Sequence, residues 1–198
     1  AFKLLVRVRL EGAEHVPAEG AVVMAPGAHR SNLDTLIVCM LTRRRLRYMG
    51  KDTLWKHRWA DWFFSALGGF PVHREGADRE ALRQCLDAVA HGEPVVMFPE
   101  GTRQSGPRIQ DLHGGPAYVA AKAGIPILPV GIGGGERAMP PGSKMIRPAN
   151  MTMVVGPLID PPGDGEGGRV RRSEMQATTD ELRDVLQELF DEAQRLAR

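Results

Sequence analysis

Short apolar runs alternate with stretches of helical spacing along most of this chain. Val22-Val23-Met24-Ala25, stopped by Pro26-Gly27, predicts a buried strand that hands His29 to a loop at its carboxyl end. Leu33, Leu36, Ile37, Met40 and Leu41 then recur with a helical period, with Ser31 or Asn32 where a cap belongs. His29 therefore falls just before a helix and Asp34 in its first turn. Arg45 to Met49 predicts a second strand, and 52–67 a helix that Gly68-Gly69 ends. Phe70-Pro71-Val72-His73 is extended and turns at Glu75-Gly76. Asp78 caps a helix whose Ala81, Leu82, Cys85, Leu86 and Val89 share one apolar face before Gly92 closes it. Val95 to Phe98 predicts another buried strand, from which Pro99 opens a loop carrying Glu100 to Arg103. Pro116 to Ala123 is a small-residue helix, Ile125 to Ile132 a strand, and Met151 to Val155 one strand more.

Strands alternating with helices predict an α/β sheet, with the polar loops along one edge, where open sheets place their ligands. Residues 1–160 read as one domain, followed by a Pro/Gly-rich linker over 161–176. A terminal helix over 177–198 is expected to pack on the body. There Thr178-Thr179-Asp180-Glu181 resembles a capping box, and Leu182, Val185, Leu186, Leu189, Phe190, Ala193 and Leu196 form a stripe. No internal repeat is visible.

With 198 residues, 42% hydrophobic and 25% charged, the chain can bury one sizeable core. A formal net charge of +2 does not call for nucleic acid. The charge is uneven, however: Arg43, Arg44, Arg45, Arg47, Lys51, Lys56 and Arg58 face only Asp52, a cluster suited to an anionic surface or a phosphorylated ligand. Cys39 and Cys85 lack the spacing of a metal site or a disulfide framework, so a reducing, cytosolic setting is the default. No run of about 18 apolar residues and no secretory leader pattern is visible. Trp55, Trp59 and Trp62, with Phe63 and Phe64, sit at helical spacing among cations; Trp59 and Phe63 suit core packing, Trp55 and Trp62 a lipid interface.

Two blocks carry candidate chemistry. In His29-Arg30-Ser31-Asn32-Leu33-Asp34, an imidazole could remove a proton near neutral pH if the carboxylate held its other ring nitrogen. An unbroken helix would put the pair on different faces, so the loop must turn into the helix between them. The plain alternative is a helix-terminal aspartate beside a surface histidine. In Phe98-Pro99-Glu100-Gly101-Thr102-Arg103, a flexible glycine, a hydroxyl and a guanidinium suit an oxyanion or phosphate. Its alternative is an ordinary polar turn. Between the blocks, Gly69 to Arg74 brings a further arginine to a strand end, or merely a solvated charge to the surface. Gly133-Gly134-Gly135 lacks the pattern of a nucleotide phosphate loop.

Taken in order, the blocks resemble those of the glycerolipid acyltransferases, the family of 1-acylglycerol-3-phosphate and glycerol-3-phosphate acyltransferases. Its N-H-x4-D box is met by His29 and Asp34, its glycine-to-arginine box by Gly69 and Arg74, its F-P-E-G-T-R box by Phe98 to Arg103, and its V-P-V-type strand box by Ile127-Leu128-Pro129-Val130. The resemblance spans about residues 10 to 160 and implies a glycerol-3-phosphate acyltransferase-like mixed sheet flanked by helices. It implies that His29 is the general base and Asp34 its partner. Arg74, Glu100, Gly101, Thr102 and Arg103 would shape the pocket for the acceptor glycerol phosphate, and the Pro129 strand would line the acyl side. No metal, no cofactor and no covalent enzyme intermediate is implied, so Ser31, Cys39 and Cys85 are not nucleophiles. The donor would be acyl-CoA or an acyl carrier protein, the acceptor lysophosphatidic acid and the product phosphatidic acid. Glycerol 3-phosphate or another lysophospholipid is the alternative acceptor; a non-catalytic lipid-binding module and a thioesterase are the rival classes. A peripheral place on an anionic membrane, at its cytoplasmic face, completes the expectation. Ala28 stands where the family usually has Asn, His73 where many members have Asp, and His113 where a lysine is frequent.

Overall fold

Alternation within the apolar runs decides which helices cover which side of the sheet. Around β2 (Val23–Gly27), Val23 and Ala25 pack into one cluster and Val22 and Met24 into another. The first cluster is covered by α2 (Arg79–Ala90) through Ala81, Cys85, Ala88 and Val89, by α3 (Gly115–Ala123) through Val119 and Ala120, and by a long α5 (Arg172–Leu196) through Leu182, Leu186 and Phe190. The second is covered by α1 (Leu33–Val38) through Leu33, Ile37 and Val38. Helices thus flank both faces, as a mostly parallel sheet requires.

The computed structural model describes residues 6–51, 55, 61–62, 65–66, 68–72, 79–140, 142–143, 145–163 and 170–198. The other strands are β1 (Val6–Glu11), β3 (Arg47–Lys51), β4 (Gly69–Val72), β5 (Val95–Val96), β6 (Ile127–Gly133) and β7 (Ala149–Val155). A short α4 (Gly135–Ala138) follows β6. The seven strands form one sheet in the order β1-β7-β6-β2-β5-β3-β4. Strands β6, β2, β5, β3 and β4 are parallel; β7 runs antiparallel to β6, and β1 parallel to β7. The sheet is mixed, as expected. Because β2 and β5 are parallel neighbours, both candidate blocks leave the same edge.

Three expectations shift. Val6-Arg7-Val8-Arg9-Leu10-Glu11 alternates apolar and charged residues and forms edge strand β1, an element the sequence reading passed over. The strand expected over Val95 to Phe98 is ordered as β only at Val95–Val96. The terminal helix starts at Arg172, upstream of the expected 177, with the Glu174 carboxylate accepting the Arg171 N–H at 3.1 Å. Thr178 and Thr179 are consequently not caps. Thr179 Oγ1 donates to the Met175 carbonyl at 2.8 Å, the back-bond available to a threonine inside a helix. Close approach fixes where this helix lies: a Cβ on Gly131 or Gly133 of β6 would sit 2.3 Å from the Leu189 carbonyl carbon or 2.4 Å from that of Ala193. Most of the helix expected over 52–67, with Trp59, Phe63 and Phe64, lies outside the described residues.

Candidate active site

The loop after β2 is built by one unusual residue. Ala28, fully buried, holds φ at 59°, a left-handed conformation that costs a non-glycine residue roughly 1–2 kcal/mol. The turn it makes carries His29 back over the first turn of α1. There His29 Nδ1 lies 3.0 Å from Asp34 Oδ2. Five positions of separation, too many for one helix face, become a contact because His29 is still in the loop.

Asp34 is wholly buried, and the same Oδ2 accepts the backbone N–H groups of Arg30 and Ser31, each at 2.7 Å. An oxygen that accepts two backbone N–H groups has no proton to give the ring, so in the neutral imidazole Nδ1 is the donor and Nε2 keeps its lone pair. The His29 ring rests on Phe98, centroids 4.4 Å apart, and keeps 16% of its side chain exposed. Asp34 Oδ1 is buried without a hydrogen-bond partner, and a Cβ on Gly135 would lie 2.6 Å from it. Gly135 therefore leaves the carboxylate the room it occupies.

Glu100 ties the two blocks together. Its Oε2 accepts the His29 backbone N–H at 3.0 Å, and its Oε1 accepts the Arg30 guanidinium at 3.2 Å and the Gln110 N–H at 3.1 Å. Only 3% exposed, Glu100 has both oxygens committed to protein donors, so it braces the loop. A second tie runs from the Gln104 N–H to the His29 carbonyl at 2.8 Å.

Gly101 takes φ 67°, and a Cβ there would meet His113 Cδ2 at 2.8 Å, which places the His113 imidazole against this loop. Thr102 and Arg103 are exposed at the same edge. The Thr102 hydroxyl accepts from Gln104 Nε2 at 3.1 Å, and among the described residues nothing pairs with the Arg103 side chain. His29, Asp34, Glu100, Gly101, Thr102 and Arg103 are thus brought together; Arg74 lies outside the described residues.

The basic run sits elsewhere. Arg44 donates to the carbonyls of Pro17, Gly20 and Gly92, while Arg45 and Arg47 approach Glu93 at 3.9 and 3.7 Å. Arg47 opens β3, so this cluster lies at the amino ends of the parallel strands, opposite the His29 edge. Arg44 fastens loops and Arg47 stands near Glu93, while Arg43 and Arg45 stay exposed. Lys56 and Arg58 lie outside the described residues. Trp62 is 73% exposed, and Trp55 is half-buried with its indole N–H donating to Ser65 Oγ at 3.1 Å.

Neither cysteine lies in the edge. Burial pushes the Cys85 thiol up to about 12, partly offset by Arg47. Cys39 accepts the Tyr48 hydroxyl at 2.9 Å and donates to the Thr35 carbonyl at 3.4 Å. Burial and that bond raise the Tyr48 hydroxyl far above its ordinary range. Among the described residues no group of three or more His, Cys, Asp or Glu could hold a metal ion, and no helix is long and apolar enough to cross a membrane. Sequence reasoning missed Arg30 and Gly135. For Arg30 the only signal was adjacency to His29, and for Gly135 a place in a glycine run that looked like plain loop.

A buried carboxylate orienting an imidazole, beside an exposed hydroxyl and guanidinium at one edge of a mixed sheet, defines a candidate transferase centre. The family described as Acyltransferase matches residues 7–133. A 1-acyl-sn-glycerol-3-phosphate acyltransferase of Chlamydomonas reinhardtii is 30% identical over 158 residues, covering 78% of this chain and 47% of that protein. The enzyme of that name from Bacillus subtilis is 25% identical over 150 residues, 75% of this chain and 72% of its own length. The crystal structure of the 1-acyl-sn-glycerophosphate (LPA) acyltransferase PlsC from Thermotoga maritima superposes with a TM-score of 0.77 at 24% identity, covering all of this chain and 76% of that one. The chain belongs to the acyltransferase family, as its ordered boxes implied. It spans about half the length of the plant and algal relatives, 47% and 42% of two of them.

Proposed function

We propose that this chain transfers a long acyl group from an acyl thioester, acyl-CoA or acyl carrier protein, to the free hydroxyl of lysophosphatidic acid, giving phosphatidic acid. The observation that carries this reading is the 3.0 Å contact of His29 Nδ1 with the buried Asp34, which leaves Nε2 free to accept a proton. Nε2 takes the proton of the acceptor hydroxyl as its oxygen attacks the thioester carbonyl carbon; the C–O bond forms, the C–S bond breaks, and the imidazolium returns the proton to the leaving thiolate. Asp34 holds the ring tautomer and stabilises the transient charge. The flexible Gly101 turn and Thr102 stand beside the reacting carbonyl, and Arg103, with Arg74, grips the acceptor phosphate, which matches a guanidinium bidentately. Glu100 serves by holding the His29 backbone.

Residues 1–160 carry the chemistry and the terminal helix braces them. Both substrates are amphiphiles, so the protein works as a peripheral enzyme on the cytoplasmic face of a membrane; exposed Trp62 supports contact with lipid. Purified protein, labelled palmitoyl-CoA and a panel of acceptors test the reading. Labelled phosphatidic acid formed only with lysophosphatidic acid is the expected result. Product on glycerol 3-phosphate alone moves the acceptor, and free fatty acid released without any acceptor replaces the reading with a thioesterase.

A further inference from the structure

The terminal helix lies beyond residues 7–133, yet it reaches both sides of His29 in the chain, at Gly27 and Arg30. Leu186 packs on Gly27, where a Cβ would lie 3.0 Å from Leu186 Cδ1. Phe190, 2% exposed, presents its ring to the Arg30 guanidinium, with Cζ 5.4 Å from the centroid. Gln187 accepts the Ile109 N–H at 2.8 Å and donates to the Pro107 carbonyl at 3.2 Å and to Asp191 at 2.9 Å. Arg30 joins these contacts to the site: 3% exposed, it donates to Glu100 at 3.2 Å and to the Arg108 carbonyl at 2.8 Å.

We infer that Arg30 is a positioning residue for His29, and that α5 sets its place through Phe190 and through the 107–110 segment that Gln187 pins. Arg30 fixes the Glu100 carboxylate whose other oxygen holds the His29 backbone N–H. A buried carboxylate stripped of its cation would rotate toward water or other donors, and the base would lose its aim. The guanidinium suits the task because its rigid fork reaches Glu100 and the Arg108 carbonyl at once, which an ammonium does not reproduce. Its Nε is buried with no hydrogen-bond partner, so the Phe190 ring face supplies the remaining stabilisation of the charge. The kinetic consequence rests on the acyl-transfer reading; the structural one does not.

The test uses the full chain with Arg30→Lys, Phe190→Leu and Gln187→Ala. Val89→Ala, in the last turn of α2, serves as a destabilised control. Measured are Tm, kcat and KM for palmitoyl-CoA and lysophosphatidic acid, and the ring 15N resonances of His29. In Arg30→Lys, kcat should fall roughly 10- to 100-fold, with smaller losses in the other two and each KM held within about threefold. The His29 resonances should shift in all three variants while those of His15 and His91 stay put. Val89→Ala should lower Tm without moving kcat or the His29 signals. If the three variants match Val89→Ala in both readouts, α5 is only a scaffold and the inference is overturned. Should Arg30→Lys fail to fold, Phe190→Leu and Gln187→Ala decide by the same readouts. Absence of transfer by the unmodified protein with every acceptor overturns the proposed reaction instead, because the His29 resonances are read without turnover.

Discussion

The two ends of the same parallel strands are both rich in arginine, and they use it in opposite ways. At the amino ends, Arg44 grips three backbone carbonyls while Arg45 and Arg47 share Glu93. Those contacts are partly solvated and serve to close loops. At the carboxyl ends, Arg30 is buried against Glu100 to hold a histidine in place, and Arg103 is left exposed and unpaired among the described residues. Backbone strain follows the same division: among the described residues, left-handed Ala28 is the one non-glycine with positive φ, and it belongs to the His29 edge. One end is arranged for stability, and the other tolerates cost in return for geometry.

The sharpest way to separate the two ends is His29→Ala. Losing a general base costs about 10²–10⁴ in rate, so turnover should nearly vanish while Tm stays close to the original. A folded variant with ordinary transfer would remove His29 from the chemistry and dissolve the contrast. Gly135→Ala probes the strain itself. Its new methyl would press on Asp34 from 2.6 Å, tilting the imidazole and lowering kcat by roughly 10²-fold; an unchanged rate would mean the carboxylate has slack.

Arg103→Lys keeps the charge and loses the fork. The KM for lysophosphatidic acid should rise about tenfold, read at saturating donor, and an effect confined to the donor KM would reassign the residue. Arg44→Ala should do the reverse of His29→Ala. Removing its bonds to three carbonyls should lower stability by about 1–3 kcal/mol, or Tm by roughly 2–10 °C, with kcat intact; a rate loss below the melting range would join the two ends functionally.

The smallest effect lies in the layers between. Burial holds the Cys85 thiol protonated up to about 12 against an ordinary 9.0, and raises the Tyr48 hydroxyl as well. Below pH 9 folded and unfolded chains bind the same proton on Cys85, so its contribution is complete. Between 9 and 12 the unfolded chain sheds a proton that the folded chain keeps, and stability falls as pH rises. Urea midpoints should decline across that window, and more gently in Cys85→Ala; a flat profile would show the thiol to be solvated.

Much of the chemistry was legible as local pattern. Val22 to Ala25 stopped at Pro26-Gly27 placed His29 on a loop, the run from Leu33 placed Asp34 in a first helical turn, and Val95-Val96 before Pro99 delivered the second block to the same kind of edge. Such features depend on periodicity and chain breakers, which act over a few residues. The alternation of Val6 to Glu11 is an equally local signal for β1. The start of the terminal helix was harder, because threonines that look like caps in a string become back-bonding residues once the helix has begun upstream.

The order of strands and helices after β1, the candidacy of His29 with Asp34 and the resemblance to the family followed from the sequence alone, since each is a matter of nearest neighbours or ordered motifs. Which arginine is buried and which is exposed, that the 43–47 cluster faces away from the site, that Glu100 braces a backbone, that Gly135 lies against Asp34 and that Phe190 lies against Arg30 were decided only by tertiary structure. Arginines have the same donors wherever they stand; strand direction and sheet order determine what each one meets, and those are set by contacts between residues far apart in the chain.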